Sequence, residues 1–186
     1  DLNFHSPAVV AQMLEEVEFW LKRGAHGLRL DAINFCFHDP LLRDNPPKPA
    51  SQRQGRGYTA DNPYAFQFHV YDNTQPDNLD FLEALRRLVD RYPPAITLGE
   101  VSSEDPLATT VQYTSGNKRL HMAYNFELLV DTFSTSHIRN VIEMLEARAV
   151  DCWPCWAIGN HDVARVATRW WGSDASGPRA KLLNAF

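Results

Sequence analysis

The chain has 186 residues, a formal net charge of −5, 44% hydrophobic and 22% charged residues, and three cysteines. This is the balance of an ordinary globular protein, long enough for one domain with a sizeable core. No basic cluster points to nucleic acid, and no apolar run approaches the ~20 residues that cross a bilayer. The sparse thiols Cys36, Cys152 and Cys155 do not make a disulfide scaffold, and they suit a reducing, cytoplasmic compartment.

Helical and strand-like segments alternate along the chain. In "SPAVVAQMLEEVEFWLKRG", Ser6 caps and Pro7 starts a helix; Val10, Met13, Leu14, Val17 and Leu21 recur at helical spacing, and Gly24 ends it. A strand over 27–33 follows. Residues 36–77 form a long loop rich in Pro, Asn, Gln and Gly, in which Gly55 and Gly57 suggest a sharp bend. Loops of that length in compact folds are usually functional or disordered. "DNLDFLEALRRLVDRYP" is a second helix, with Leu79, Leu82, Leu85 and Leu88 at three-residue steps, stopped by Pro93 and Pro94. "AITLGEV" reads as a buried strand. Residues 102–118 hold at most a short helix. "LHMAYNF" is a third strand, 127–148 reads as largely helical, "CWAIGNHD" is a fourth strand, and "VARVATRWW" is a short helix.

Alternation of this kind implies a parallel sheet with crossover helices, either an open doubly wound sheet or a closed (β/α)8 barrel. The absence of a Gly-rich phosphate fingerprint after any strand favours the barrel. So does the placement of Asp31, Glu100 and Asp162 at the carboxyl ends of three strands, the face on which barrel active sites are built. A full barrel needs about 200 to 250 residues and eight strands. The expectation is therefore part of a barrel, about strands 4 to 7 with flanking helices. The opening "DLNFHSP", with no Met, fits a segment of a longer chain.

Side chains alternate across a strand, so Arg29 and Asp31 share one face while Leu28 and Leu30 point to the helix layer. An Arg beside an Asp can hold the carboxylate ionised. Each of the three acids taken singly could merely cap a following helix. Together they suggest glycosidic chemistry: retaining glycosidases need two carboxyls about 5 to 5.5 Å apart, one nucleophile and one acid/base.

The local contexts carry a resemblance. "GLRLDAINF" is similar to the nucleophile segment of glycoside hydrolase family 13, the α-amylase family, "LGEV" to its acid/base segment, and "GNHDVAR" to the segment with its stabilising Asp. The opening "DLNF" resembles the "QPDLN" signature of the oligo-1,6-glucosidase and α-glucosidase branch. The resemblance implies Asp31 as nucleophile, Glu100 as general acid/base and Asp162 as stabiliser. It also implies that Arg29 pairs with the nucleophile, and that His161 and Arg165 contact the sugar beside it. Ala32, following the nucleophile, implies α-1,4 preference. The implied activity is a retaining α-glucosidase on short oligosaccharides or α-glucosides. A glucosyltransferase or a sucrose- or maltose-acting isomerase of the family is the alternative, and a non-catalytic member such as the amino-acid-transporter heavy chains is a third reading.

The family's first conserved segment lies before "QPDLN", so residues 1–5 are read as the end of a preceding loop domain. The rest of the same catalytic domain is the implied partner, and this segment alone is expected to be inactive. No cofactor is implied; a structural Ca²⁺ would sit outside the segment.

Several weaker signals accompany these. The CxxC of "CWPCW" lies before or within the apolar run leading to "GNHD" instead of opening a helix, so packing is preferred over redox chemistry. Glu127 is read as a helix N-terminal acid. Phe126 either walls a sugar subsite or packs in the core; Tyr58, Tyr64, Phe66 and Tyr71 either stack on sugars or anchor the long loop. His5, His38, His69 and His121 show no ligand spacing.

Overall fold

The structure is a computed structural model that describes residues 2–53, 58, 61–174 and 177–185. Four strands, β1 (Gly27–Leu30), β2 (Ile96–Val101), β3 (Met122–Asn125) and β4 (Trp153–Pro154), run parallel and lie side by side in chain order. A doubly wound sheet reverses its strand order near the middle. Sequential order without reversal is that of a barrel wall. The crossovers carry α1 (Pro7–Lys22), before β1, then α2 (Asp77–Val89), α3 (Pro106–Thr114) and α4 (Thr135–Arg148). Two further helices, α5 (Val166–Trp171) and α6 (Gly177–Ala185), follow β4.

The sheet has two differently used faces. Leu28 and Leu30 of β1, Val101 of β2 and Ala123 of β3 turn outward and pack with Leu21 of α1 and Phe81, Leu82, Leu85 and Val89 of α2. Burial at these positions binds the helices to the wall, at about 25 cal/mol per Å² of apolar surface. The opposite face carries Arg29, Leu98, Glu100 and Tyr124. There Leu98 packs with Tyr124, Phe126, Leu129 and Cys155. The expected division of β1, Leu28 and Leu30 toward the helices and Arg29 on the other face, therefore holds.

Local signals explain most elements. Pro7 occupies the first turn of α1, and the chain leaves that helix through Gly24 at φ +92°. The Ser6 side chain makes no capping bond, although its backbone is extended as an N-cap requires. Helix α2 carries Asp77 and Asp80 in its first turn and Arg86 and Arg87 in its last, both favourable to the helix dipole. The short helix allowed within 102–118 is α3, capped by the Asp105 carboxylate accepting from Ala108 N at 3.0 Å.

Three expectations need correction. The fourth strand does not lie in "CWAIGNHD": β4 is only Trp153–Pro154, just before it, and Asp162 lies eight residues further on, among bends. Proline has no N–H to offer the ladder, and β4 is the edge strand of the described sheet. Residues 127–134 are not helical; α4 begins at Thr135, where Ser134 accepts from His137 N at 3.2 Å. Glu127 is consequently not a helix N-terminal acid. It is buried just beyond β3, and its own N–H donates to Asn125 Oδ1 at 3.1 Å. Finally, β1 stops at Leu30 rather than residue 33, because Ala32 turns the chain at φ +42° into the 3₁₀ turn Ile33–Phe35.

The connection from β1 to α2 holds further 3₁₀ turns at Ala50–Gln52 and Pro63–Phe66 and a bridge between Pro47 and Gln67. Gly55 and Gly57 lie outside the described residues. At the amino end, the Phe4 ring contacts those of Phe37 and Phe81, with centroids 5.7 and 5.1 Å apart, and His5 Nε2 lies 2.8 Å from His38 O.

Candidate active site

Asp31 follows the last residue of β1, Glu100 is the penultimate residue of β2, and Glu100 and Tyr124 are directly paired in the β2–β3 register. Paired residues of neighbouring strands are about 4.8 Å apart and project to one face. The Arg29 guanidinium lies between the acids: NH1 donates to Asp31 Oδ1 and NH2 to Glu100 Oε2. NH2 also donates to the Tyr124 hydroxyl at 2.9 Å, and that hydroxyl donates to Glu100 Oε2 at 2.5 Å. The two carboxyls are thus neighbours bridged by one cation.

Burial differs sharply within the group. The Glu100 side chain is 9% exposed, Arg29 38% and Asp31 71%. A nearly buried carboxylate is costly unless charge and hydrogen bonds compensate it, and Arg29 with Tyr124 does so. Burial first, then the Asp162 and Asp31 charges, raises the Tyr124 pKa above its ordinary value, against opposing effects of Arg29 and a hydrogen bond from Asn160. The phenol is therefore a protonated donor in the working range.

Asp162 is held by Asn160. Asn160 Oδ1 accepts from Asp162 N at 3.0 Å, and Asn160 Nδ2 lies 3.3 Å from Asp162 Oδ2. The His161 ring is exposed, with Nε2 3.4 Å from Asp162 Oδ1. Arg165 is exposed at the start of α5, and its side chain makes no hydrogen bond or ion pair among the described residues. Ala32 is half-buried directly after Asp31. Asp31, Arg29 and Glu100 are thus gathered, with Ala32 adjoining; Asp162 and His161 form a second bonded group with Asn160, and Arg165 stands outside both.

Phe126 packs in the core, one of the two roles expected of it. It is buried with Tyr124 and Leu129, and it also lines a cavity of about 160 Å³ with Tyr58, Tyr64, Phe68, Ser103 and Glu104. The loop aromatics are anchored within the loop: Tyr64 stacks on His69 at 3.6 Å and meets Tyr58 edge-on, while Phe66 and Tyr71 lie under Arg53 and Arg43.

Sequence reasoning missed the supports. Buried Asn34 donates to Ser102 O at 2.7 Å and Thr74 Oγ1 at 3.0 Å, and its carbonyl accepts from Thr74 N at 2.6 Å, tying the turn after Asp31 to the segment after Glu100. Asn78 of α2 donates to Ile33 O at 2.9 Å. Lys48 pairs with Glu104, and Glu104 accepts from His69 N at 3.0 Å. His69 Nδ1 lies 2.7 Å from Asp72 Oδ2; burial disfavours its charged form, yet Asp72 and the Tyr64 carbonyl outweigh that and raise its pKa. The one available signal was an Asn within the otherwise apolar "INFCF".

The thiols Cys36, Cys152 and Cys155 are free, and burial raises the Cys155 pKa, which suits a packed thiol. Among the described residues no group of three His, Cys, Asp or Glu side chains is arranged to hold a metal ion.

Residues 1–186 match the family model of the α-amylase catalytic domain. A probable α-glucosidase of Rhizobium meliloti (strain 1021) is 42% identical over 172 residues, covering 91% of this chain and 31% of the relative. The amino acid transporter heavy chain SLC3A1 of Homo sapiens is 28% identical over 182 residues, covering 91% of this chain and 25% of its own. The crystal structure of an α-glucosyl transfer enzyme, XgtA, superposes with TM-score 0.96 at 58% identity, covering all of this chain and 34% of that one. The chain spans about a third of the length of such relatives, and its four strands are a section of a (β/α)8 barrel wall. With its whole length matched by the family model, the chain belongs to the α-amylase family, as a segment of the catalytic domain.

Proposed function

We propose that this segment carries the central catalytic acids of a retaining α-glucosidase acting on short α-glucosides, with α-1,4 bonds preferred. The observation that carries the reading is the single Arg29 guanidinium joining Asp31 to Glu100. Carboxyls placed as neighbours suit direct attack on the sugar; an inverting pair must stand further apart to admit a water.

In the first step the protonated Glu100 donates to the glycosidic oxygen while an Asp31 oxygen bonds to the anomeric carbon. The glycosidic bond breaks, the alcohol leaves neutral, and Glu100 is left ionised. In the second step Glu100 takes a proton from water, the resulting hydroxyl attacks the anomeric carbon, and the ester to Asp31 breaks. The α-anomer leaves and both carboxyls return to their starting states. Asp162 opposes the positive charge that develops on the ring, and its exposure leaves it open to substrate. His161 and Arg165 supply hydrogen bonds to the same sugar, and Phe126 borders it. Ala32, small and next to Asp31, leaves room for an α-1,4-linked neighbour.

Transfer to a sugar or alcohol acceptor is the second reading. It shares the first step, and the 58% identity to an α-glucosyl transfer enzyme favours it. The heavy-chain reading is disfavoured by the presence of all three acids, Asp31, Glu100 and Asp162, with Arg29 joining the first two.

The test uses a protein of the relatives' full length that carries this segment. Proton NMR of early turnover on an α-glucoside should show α-glucose, or an α-linked transfer product, first. β-Glucose as the first product would rule out retention. The ratio of glucose to transfer product at high acceptor concentration separates hydrolysis from transfer.

A further inference from the structure

Asp31 and Glu100 are joined by one polar group crossing the sheet: Asp31 to Arg29, Arg29 to Glu100 and Tyr124, and Tyr124 to Glu100, while Asn160, which is bonded to Asp162, acts on the Tyr124 hydroxyl from the segment after β4. The two uncharged residues, Tyr124 and Asn160, have no part in the reaction above. The hydrogen-bonding capacity of each side chain fixes the direction of these bonds.

A guanidinium can only donate, so the Arg29 bond fills one acceptor position of the Tyr124 hydroxyl. Asn160 is oriented by its neighbour: its Oδ1 accepts from the backbone N–H of Asp162, which turns its NH₂ toward Tyr124 and Asp162. The amide NH₂ thus faces the Tyr124 hydroxyl as a donor, in keeping with its lowering effect on the phenol's pKa. A hydroxyl has one proton, and the remaining partner is Glu100 Oε2 at 2.5 Å. That oxygen already accepts from Arg29. With two donors aimed at it, Oε2 is a poor place for a further proton.

We infer that Tyr124 is a positioning residue that, with Arg29, reserves Oε2 of Glu100 as a hydrogen-bond acceptor, so that the proton delivered to the leaving group resides on Oε1. The inference rests on the assignment of Glu100 as general acid. Each half-reaction then uses Oε1 alone: it gives its proton to the glycosidic oxygen and regains one from the incoming water or hydroxyl. Oε2 keeps its bonds throughout. Asn160 acts on Glu100 only by keeping the Tyr124 proton pointed the right way, which also ties the acid's geometry to the segment carrying Asp162.

The test is leaving-group dependence in the full-length protein bearing Tyr124→Phe. The ring, and hence the packing with Phe126 and Leu129, is retained. An alkyl α-glucoside needs its leaving oxygen protonated, whereas a dinitrophenyl α-glucoside does not. The expected result is a loss in kcat/KM of about 10- to 100-fold on the alkyl substrate, part of the range of general acid catalysis, and under about 3-fold on the aryl one. Equal losses on both substrates would mean that Tyr124 only packs, and would overturn the inference. If Tyr124→Phe does not fold, Tyr124→Met, which also removes the hydroxyl while filling the apolar space beside Phe126 and Leu129, should give the same inequality, and equal losses there would be equally adverse. Wild-type protein that cleaves neither substrate would defeat the glucosidase reading together with this one. Wild type active on both, with an evenly impaired variant, defeats the role of Tyr124 alone.

Discussion

Glu100 and Asp162, the acids proposed as proton donor and charge stabiliser, are held in opposite ways. Glu100 lies inside a six-residue strand paired on both sides, nearly buried, with Arg29 and Tyr124 on one oxygen. Asp162 lies beyond a two-residue edge strand, 43% exposed, with Asn160 and His161 as its near neighbours. The difference matches the work proposed for each. An acid that must place a proton within hydrogen-bonding reach of one oxygen gains from a rigid ladder. A charge opposing a developing cation acts over a longer range and gains from access to the substrate.

The comparison can be broken by paired truncation. Glu100→Ala should abolish acid assistance, lowering turnover on alkyl glucosides by about 10²- to 10⁴-fold. It should also destabilise the protein by about 1–3 kcal/mol, since Arg29 and Tyr124 lose a buried partner. Asp162→Ala should lower turnover while leaving stability within about 0.5 kcal/mol, as for an exposed side chain. Activity assays beside thermal unfolding read both; equal destabilisation by the two changes would erase the distinction.

A second change probes the wall behind Glu100. A Cβ on Gly99 would stand 2.5 Å from Leu120 Cδ1 and 3.1 Å from Ile33 Cγ2. Leu120 is fully buried and has little room to yield. Gly99→Ala should therefore cost about 1–3 kcal/mol and displace the turn after Asp31, lowering Tm and turnover together. An unchanged Tm would show that this face is looser than its packing indicates.

The smallest effect belongs to the β1–α2 connection. The pKa of His69 is raised and that of Asp72 lowered; burial opposes both shifts, and the hydrogen bond between them outweighs it. The His69 contribution is fully present below its unfolded value near 6.5 and fades as pH rises through its folded value. The Asp72 contribution is present above 3.8 and fades as pH falls through its folded value. Hydrogen-exchange protection of residues 64–72 should thus be greatest between about pH 4 and 6.5 and decline on either side. His69→Gln should flatten the upper decline.

What could be foreseen from the chain alone follows the range of the interactions involved. Alternation within "GLRLDAINF" placed Arg29 and Asp31 on one face because strand geometry is local. The position of Glu100 followed in the same way from "AITLGEV". The end of β4 did not, because an apolar run such as "CWAIG" carries no mark of how many residues find a partner in the ladder. Tyr124 and Asn34 were overlooked for a related reason. Each matters through a bond to a residue far away in sequence, and no spacing rule encodes the register of neighbouring strands. The α4 boundary lay between these extremes: Ser134 is a legible cap, but the buried Leu128 and Leu129 before it resembled one more helical turn.

The central claim is that Asp31 is the nucleophile of a site shared with Glu100. A fluorinated α-glucosyl donor that forms the glycosyl ester quickly and releases it slowly should trap the intermediate in the full-length protein. Peptide mapping by mass spectrometry should find one glucosyl group on Asp31, with inactivation matching its incorporation. A label on any other residue, or turnover of the donor with none trapped on Asp31, would contradict the account.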